Sequence, residues 1–249
     1  MYNKIYDFCK IRNLGNVFQN KSNELTPRVK FIINLLKEEN IEFKIDRFIS
    51  RGITCYNIIL KGSSDKMVVA HHDVNNHETD NANDNSASVI NAIMIKKLLP
   101  EINVILLDGE EFGGIGSQRL SDMINDNIFG DIKWVLNLEL TGRGGKYFFI
   151  GDYPGHLTNH IKSLFNCPIV QTPFNDSVIF RKNGIDSVVI NPLPILKNGK
   201  KSNVQWDENT YLDFSILYNC HTIYDTIDTI DTDDMRDFVE YVAIPILNE

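Results

Sequence analysis

The sequence predicts an α/β protein, a three-layer αβα sandwich with a central mixed, mostly parallel sheet. Short runs rich in Val, Ile and Leu, typical of buried strands, alternate along the chain with segments of helical periodicity. The 249 residues are 43% hydrophobic, which is enough apolar material for one large core. No internal repeat or low-complexity linker divides the sequence. We therefore expect a single domain over 1–249.

The first half of the chain begins the alternation. Residues 1–25 are predicted to form an N-terminal extension or helix, and Thr26-Pro27 opens a helix that ends near Glu39-Asn40. Two paired strands follow, joined by a turn at Ser50-Arg51-Gly52. The predicted elements after the first helix are the strands 41–48, 54–60, 67–70 and 102–107 and the helices 86–99 and 117–124.

The second half continues the same pattern and contains one long interruption. The predicted elements are the strands 134–138, 147–150 and 187–190, the helices 157–165 and 235–247, and a short helical turn at 178–182. Asp231 or Thr232 is expected to cap the last helix. Residues 192–213 form a loop insertion that we interpret either as a lid or as a surface excursion.

Charge and hydropathy exclude several classes of partner. The chain carries 25 Lys and Arg against 33 Asp and Glu, a net charge of −8, which disfavours nucleic acids and anionic membranes. No apolar run approaches the roughly 18 residues of a membrane-spanning helix, and the first residues lack the pattern of a secretory signal. We expect a cytoplasmic protein whose four cysteines are free thiols.

Potential metal ligands follow the predicted buried strands. They are His71, His72 and Asp73 after one strand, Asp108, Glu110 and Glu111 after the next, Glu139 after a third, Asp84 before a helix, and His221 beyond the insertion. In a parallel sheet such residues meet at one edge. Carboxylates gathered there repel one another, and a bound dication removes that cost. Mixed imidazole and carboxylate ligands are typical of zinc.

The same residues, taken in order, resemble the M28 family of zinc aminopeptidases. The matching motifs are His71-x-Asp73, Asn83-Asp84-Asn85, Asp108-Gly109-Glu110-Glu111 with Gly116-Ser117, Asn137-Leu138-Glu139, Asn175-Asp176-Ser177 with Phe180 and Gly184-Ile185, and His221-Thr222-x-x-Asp225-Thr226. The resemblance extends from about Thr26 to the C-terminus. It implies a peptidase with two zinc ions per chain.

The resemblance also implies a set of metal ligands. By this likeness His71 and Glu139 bind one zinc, Glu111 and His221 bind the other, and Asp84 bridges both. Glu139 stands where many family members have Asp, so the metal spacing and the substrate fit are expected to differ from theirs.

Further roles follow from the same resemblance. Glu110 is expected to act as the general base, and Asp73 to hold His71 in the correct tautomer. Cys220 stands where some relatives have a Tyr that supports the oxyanion. That role is either vacant or filled by another residue such as Tyr218 or Tyr224. The residues expected to contact substrate are these two tyrosines, Asp176 and, if the insertion 192–213 is a lid, Trp206.

The function that the resemblance implies is that of an aminopeptidase, which removes N-terminal residues from peptides with a free N-terminus. Glutaminyl-peptide cyclases share the fold but use a single zinc, without the first histidine as a ligand. His71 with Asp73 behind it favours two metals and therefore hydrolysis. The third alternative is a binding module of the same fold without activity, although all the ligand positions here carry competent side chains.

Overall fold

A mixed sheet of eight strands lies at the centre of the structure, a computed structural model that describes residues 1–11, 24–75, 79–195 and 214–248. The strands are β1 (Lys44–Ser50), β2 (Ile53–Leu60), β3 (Lys66–His71), β4 (Asn103–Leu107), β5 (Trp134–Leu138), β6 (Phe148–Gly151), β7 (Ile169–Val170) and β8 (Ser187–Pro192). Their order across the sheet is β1-β2-β4-β3-β5-β8-β6-β7. Four of the seven pairings are parallel and three are antiparallel. The predicted mixed, mostly parallel sheet is confirmed.

Helices cover both faces of this sheet. They are α1 (Lys4–Cys9), α2 (Pro27–Glu38), α3 (Ala87–Leu98), α4 (Ile115–Asn125), α5 (His156–Leu164), α6 (Asp176–Lys182), α7 (Thr232–Phe238) and α8 (Ile244–Asn248). A π-helical turn, Val239–Ala243, joins α7 to α8 without a break. Another, Ala82–Ser86, leads into α3. None of the helices in the described part of the chain is long and apolar enough to span a bilayer.

The strand residues alternate between two apolar clusters, one on each face of the sheet. Val68 and Ala70 pack in the larger cluster, which includes buried residues of α1, α2, α3, α5 and the C-terminal helices. Met67 and Val69 point to the opposite face and pack in the cluster formed with α4 and α6. The three-layer αβα architecture is therefore confirmed.

Capping interactions determine where several helices begin and end. The Thr26 hydroxyl accepts a hydrogen bond from the Val29 amide at 3.3 Å, and Pro27 occupies the first turn of α2. At the other end, Asn40 adopts a left-handed conformation (φ 54°), and the Ile41 amide donates to the carbonyl of Leu36 at 2.9 Å. This cap keeps the chain out of the sheet, so β1 begins at Lys44 and not at the predicted position 41.

The structure tests the predictions for the last helix but not those for the insertion 192–213. Asp231 accepts hydrogen bonds from the amides of Asp233 and Asp234, which confirms it as the cap of α7. The helix begins at Thr232, three residues before the predicted start. Most of the insertion 192–213, including Trp206, lies outside the described residues. The interpretation of this segment as a lid or a surface excursion, and the single-domain organisation, remain predictions.

The sheet topology places one set of loops together. β3, β4, β5 and β8 run parallel and adjacent, so the loops after them leave the same edge. From β3 the chain passes to β4 on one side, and from β4 it crosses back to β5 on the other side of β3. Such a reversal opens a crevice at the carboxyl ends of the strands. His71 is the last residue of β3, and Glu139 directly follows β5.

Candidate metal centre

The structure brings the five predicted metal ligands together at this edge. They form two overlapping groups, one of His71, Asp84 and Glu139 and one of Asp84, Glu111 and His221, and the ligand atoms within each group lie within 4.8 Å of one another. The Asp84 carboxylate belongs to both. Its Oδ1 lies 3.2 Å from Nε2 of His71, and its Oδ2 lies 3.1 Å from Nε2 of His221.

The donor atoms of this cluster fit divalent zinc. Nε2 of His71 also lies 3.5 Å from Oε2 of Glu139, and Nε2 of His221 lies 3.3 Å from Oε2 of Glu111. Each imidazole nitrogen thus faces two carboxylates, the mixed ligand set that zinc accepts. The second oxygen of Glu111, Oε1, is buried and has no hydrogen-bond partner. A buried oxygen without a partner is rare in proteins, and a cation would satisfy it.

The charges of the donors act strongly on one another. Hydrogen bonds to Asp84 and then Glu111 raise the pKa of His221 to about 10. Burial alone would lower the pKa of His71, but the neighbouring carboxylates, Glu139 first, raise it well above its ordinary value. Burial is opposed in the same way at Asp84, where the two histidines hold the pKa below its ordinary value. Without a metal, the imidazoles are cations that offset part of this negative charge.

Asp73 orients His71 and also holds the loop after β4. Nδ1 of His71 lies 3.2 Å from the backbone oxygen of Asp73 and 3.4 Å from its Oδ1. The two carboxylate oxygens of Asp73 accept hydrogen bonds from the amides of Glu110 at 3.2 Å and Glu111 at 3.1 Å. A single buried side chain therefore sets the positions of one candidate ligand and of the two adjacent glutamates.

Asp225 holds the loop that carries Asp84. Its carboxylate accepts hydrogen bonds from the amides of Asn83 at 2.8 Å and Asp84 at 3.0 Å. The peptide bond between Asp84 and Asn85 is cis. Asp225 belongs to the motif that begins at His221, but the sequence alone indicates no role for it. Its hydrogen bonds link the segment that supplies His221 to the loop that supplies Asp84.

The side chains on either side of Asp84 attach the same loop to the segment after β5. Asn85 donates to the carbonyl of Leu138 at 3.0 Å and accepts from the Leu140 amide at 3.1 Å. Asn83 accepts from the Gly142 amide at 2.8 Å. Both asparagines are buried, and their hydrogen bonds hold Asp84 opposite Glu139. This explains in physical terms why two amide residues flank the central acid.

Glu110 lies beside the cluster and faces a cavity of about 450 Å³. Burial, reinforced by Asp176 and Glu139, raises the pKa of Glu110 to about 10. The cavity also exposes atoms of His71, Asp84, Glu111, Glu139 and His221. Its apolar wall consists of Leu140, Phe149, Pro173, Phe174, Val189 and Leu217, and Cys220 lies next to His221 on the same surface.

Three of the four residues predicted to contact substrate belong to the described part of the chain, and none of the three lines the cavity. Tyr218 and Tyr224 are 82% and 66% exposed, and neither lines the cavity. Asp176 is fully buried, both its carboxylate oxygens lack a hydrogen-bond partner, and burial raises its pKa to about 7. Trp206 lies outside the described residues. Their roles in substrate binding remain predictions.

The fold and the family comparison identify the class of protein. A parallel sheet edge that gathers two imidazoles and several carboxylates around a cavity is the arrangement of a zinc-dependent metallopeptidase. The chain belongs to peptidase family M28, because the model of that family matches residues 57–244. The family resemblance predicted from the motifs is confirmed. No curated protein matches the chain in sequence.

Solved structures with the same fold include two kinds of enzyme. The Legionella pneumophila LapA aminopeptidase has 13% identity and a TM-score of 0.67, with 99% of this chain and 70% of LapA covered. BSAP, a zinc aminopeptidase from Bacillus subtilis, has 19% identity and a TM-score of 0.59, with 80% and 50% covered. Porphyromonas gingivalis glutaminyl cyclase has 16% identity and a TM-score of 0.72, with 99% and 96% covered. At these identities the likeness concerns the fold.

We predict that Asp225→Asn weakens zinc binding by about tenfold to a hundredfold. An amide has one acceptor oxygen where the carboxylate has two, so one of the amides of residues 83 and 84 loses its partner and Asp84 shifts. Zinc retained after dialysis against a competing chelator measures the effect. Asp228→Asn, an exposed carboxylate three residues further on, is the matched control. Equal zinc retention in the two variants would contradict the prediction.

Proposed function

We propose that this chain is an aminopeptidase that uses two zinc ions to remove N-terminal residues from peptides with a free N-terminus. One observation carries the proposal: the two oxygens of Asp84 face the two histidines, at 3.2 Å and 3.1 Å, on opposite sides of one carboxylate. A carboxylate in that position is suited to bridging a pair of cations. The membership of the chain in a zinc peptidase family supports the choice of metal.

We assign one zinc to His71 and Glu139 and the other to Glu111 and His221, with Asp84 shared between them. When bound, such a pair of ions lowers the pKa of a water molecule and polarises the scissile carbonyl. Proton transfer and the binding of the substrate are assigned to side chains of the protein.

Glu110 is the proposed general base. Burial raises its pKa to about 10 in the metal-free protein, and the positive charge of bound zinc ions would lower that pKa again. The carboxylate would then accept the proton of the attacking water and pass it to the leaving nitrogen of the peptide bond. Its position supports this role, because it faces the cavity beside Glu111 while its backbone amide is held by Asp73. Asp73 would also keep the proton of His71 on Nδ1, so that Nε2 faces the metal.

The charges around the cavity support cleavage from the N-terminus. Glu110, Glu111 and Glu139 offer acceptors for a substrate ammonium group. Among the described residues that line the cavity there is no Lys or Arg to pair with a C-terminal carboxylate. An extended peptide would therefore enter with its amino end towards the acids.

The apolar wall of the cavity indicates which N-terminal side chains fit best. Phe149, Val189 and Leu217 offer no charged group to a substrate side chain. We predict that peptides beginning with Leu or Phe are cleaved with a kcat/KM at least about tenfold above those beginning with Asp or Lys. Amino-acid release from a panel of otherwise identical peptides measures the preference. Acetylated peptides are the control, and equal cleavage of acetylated and free peptides would contradict the proposed binding of the ammonium group.

Replacing Glu110 tests the proton transfer. We predict that Glu110→Gln keeps its zinc and loses about 10³-fold in kcat, because the amide cannot accept the proton of water. Steady-state kinetics and metal analysis of the same preparation separate the two effects. Glu42→Gln, the same change at an exposed position, should leave both unchanged. A kcat near that of the unmodified protein would remove Glu110 from this role.

A glutaminyl cyclase is the second candidate. It is supported by the likeness of fold to the Porphyromonas gingivalis glutaminyl cyclase, which has a TM-score of 0.72. Cyclization needs the same access of an N-terminal residue to the cavity but forms a pyroglutamyl peptide and ammonia instead of a free amino acid.

Metal stoichiometry and the identity of the product distinguish these candidates. We predict two zinc ions per chain at saturating zinc, because each histidine faces two carboxylates, of which only Asp84 is shared. Elemental analysis measures the ratio, and mass spectrometry of a peptide beginning with Gln identifies the product. One zinc per chain together with pyroglutamyl product would favour the cyclase. A chain that binds no zinc would contradict both enzymatic proposals.

A further inference from the structure

Arg28 is buried next to the candidate metal centre and does not line the cavity. It lies in the first turn of α2, outside the residues matched by the family model, and is 0% exposed. Its Nε donates to the carbonyl of His72 at 2.8 Å, and its Nη2 donates to the hydroxyl of Ser86 at 2.9 Å. The ring of Phe8 covers the guanidinium at 4.0 Å. The third nitrogen, Nη1, is buried without a partner.

Both hydrogen bonds reach backbone segments that carry candidate ligands. His72 follows His71, and Ser86 lies two residues after Asp84. The hydroxyl of Ser86 in turn donates to the carbonyl of Asn81 at 2.6 Å, at the start of the same loop. Arg28 thus lies between the end of β3 and the loop of Asp84, and its charge attracts Asp73, Asp225 and Asp84.

The metal centre concentrates more negative charge than its histidines balance. The buried acids there are Asp73, Asp84, Asp108, Glu139, Asp176 and Asp225, and the partly buried Glu110 and Glu111 join them. Burial raises the pKa of Glu110 to about 10 and that of Asp176 to about 7, and the other six acids still outnumber the two imidazoles. An isolated buried guanidinium would be costly, and so would this group of acids without a counter-charge. Burial lowers the pKa of Arg28 only to about 10, so it remains a cation at neutral pH.

The other buried basic side chains do not serve this purpose. Lys96 donates to the carbonyls of Lys61, Pro100 and Ile102, at the edge of the sheet where β4 begins, opposite the metal centre. His72 is held neutral, because burial lowers its pKa to about 4. In the part of the chain that the structure describes, Arg28 is therefore the buried permanent cation on the side of the acids.

We propose that Arg28 is a fixed internal counter-charge that keeps the acidic centre folded when zinc is absent. The proposal rests on the proposed metal centre. In the metal-free protein the guanidinium offsets part of the repulsion among the acids. In the zinc-loaded protein the ions carry four positive charges into the same place, and Arg28 is then needed less. Its removal should destabilise the metal-free protein more than the loaded one.

The test compares Arg28→Met with Arg28→Lys. Both variants lose the two-point hydrogen bonding of the guanidinium, and only the second keeps the charge. Thermal midpoints are measured on the full chain with excess zinc and with a chelator. We expect Arg28→Met to lower the midpoint of the chelated protein by about 10 °C and that of the loaded protein by about half as much. For Arg28→Lys we expect similar losses in the two states.

Zinc affinity provides an independent measurement, and the proposal predicts the direction in which it changes. Because the coupling between charge and metal is reciprocal, Arg28→Met should bind zinc about tenfold more tightly than Arg28→Lys, as measured with a competing zinc-binding dye. Ile32→Ala, which removes a buried apolar side chain from the same helix, is the control and should lose equal stability in both states.

The following outcomes would overturn the proposal. Equal losses for Arg28→Met with and without zinc would leave Arg28 a purely structural residue, as would equal zinc affinity in the two variants. If metal-free Arg28→Met protein cannot be prepared, Arg28→Lys decides the question. A larger decrease of the thermal midpoint of Arg28→Lys in the chelated state than in the loaded state would contradict the proposed role of the charge. Failure of the unmodified protein to respond to zinc would instead contradict the proposed function.

Discussion

The carboxylate of Asp84 belongs to both ligand groups of the candidate metal centre, and the surrounding structure depends on holding this charge among other acids. Its loop is attached on one side through Asp225 and on the other through Asn83 and Asn85, so that segments distant in sequence meet at one carboxylate. On the first side the Asp225 carboxylate accepts two backbone amides of the loop, and on the second side the neutral side-chain amides of Asn83 and Asn85 bind backbone groups of the segment after β5. The buried guanidinium of Arg28 adds a full positive charge next to the same loop. The centre is therefore a balance of charges that the sheet brings to a single edge.

The strands and their ends could be predicted from the sequence because the relevant signals are local. Runs such as 67–70 and 134–138 are apolar on both faces, as buried parallel strands require, and the polar residues directly after them must lie at the edge of the sheet. The predicted start of β1 was wrong by three residues, because the left-handed Asn40 and the hydrogen bond of Ile41 to Leu36 form a local helix cap that the alternation of apolar residues does not reveal.

The supporting residues of the centre could not be predicted in the same way. Asp225 carries a motif position, but its two hydrogen bonds to residues some 140 positions earlier become visible only in three dimensions. Arg28 has no signal at all, since an arginine in the first turn of an amphipathic helix usually faces solvent. Asp73 was assigned to His71 alone, whereas it also accepts the amides of Glu110 and Glu111. Sequence patterns identify groups that do chemistry more readily than the groups that hold them.

The two histidines of the centre are not equivalent in their surroundings. His71 ends a central strand and is 1% exposed, whereas the side chain of His221 is 52% exposed and is carried by a turn that is not part of the sheet. An ion bound by a buried imidazole on a strand would dissociate slowly, and an ion bound by a solvent-exposed imidazole would exchange readily with zinc in solution. Occupancy would then follow the supply of metal in two stages, the inner position filling first and the outer one responding to the surrounding concentration. The activity of the enzyme would then depend on the available zinc because the two histidines differ in their exposure to solvent.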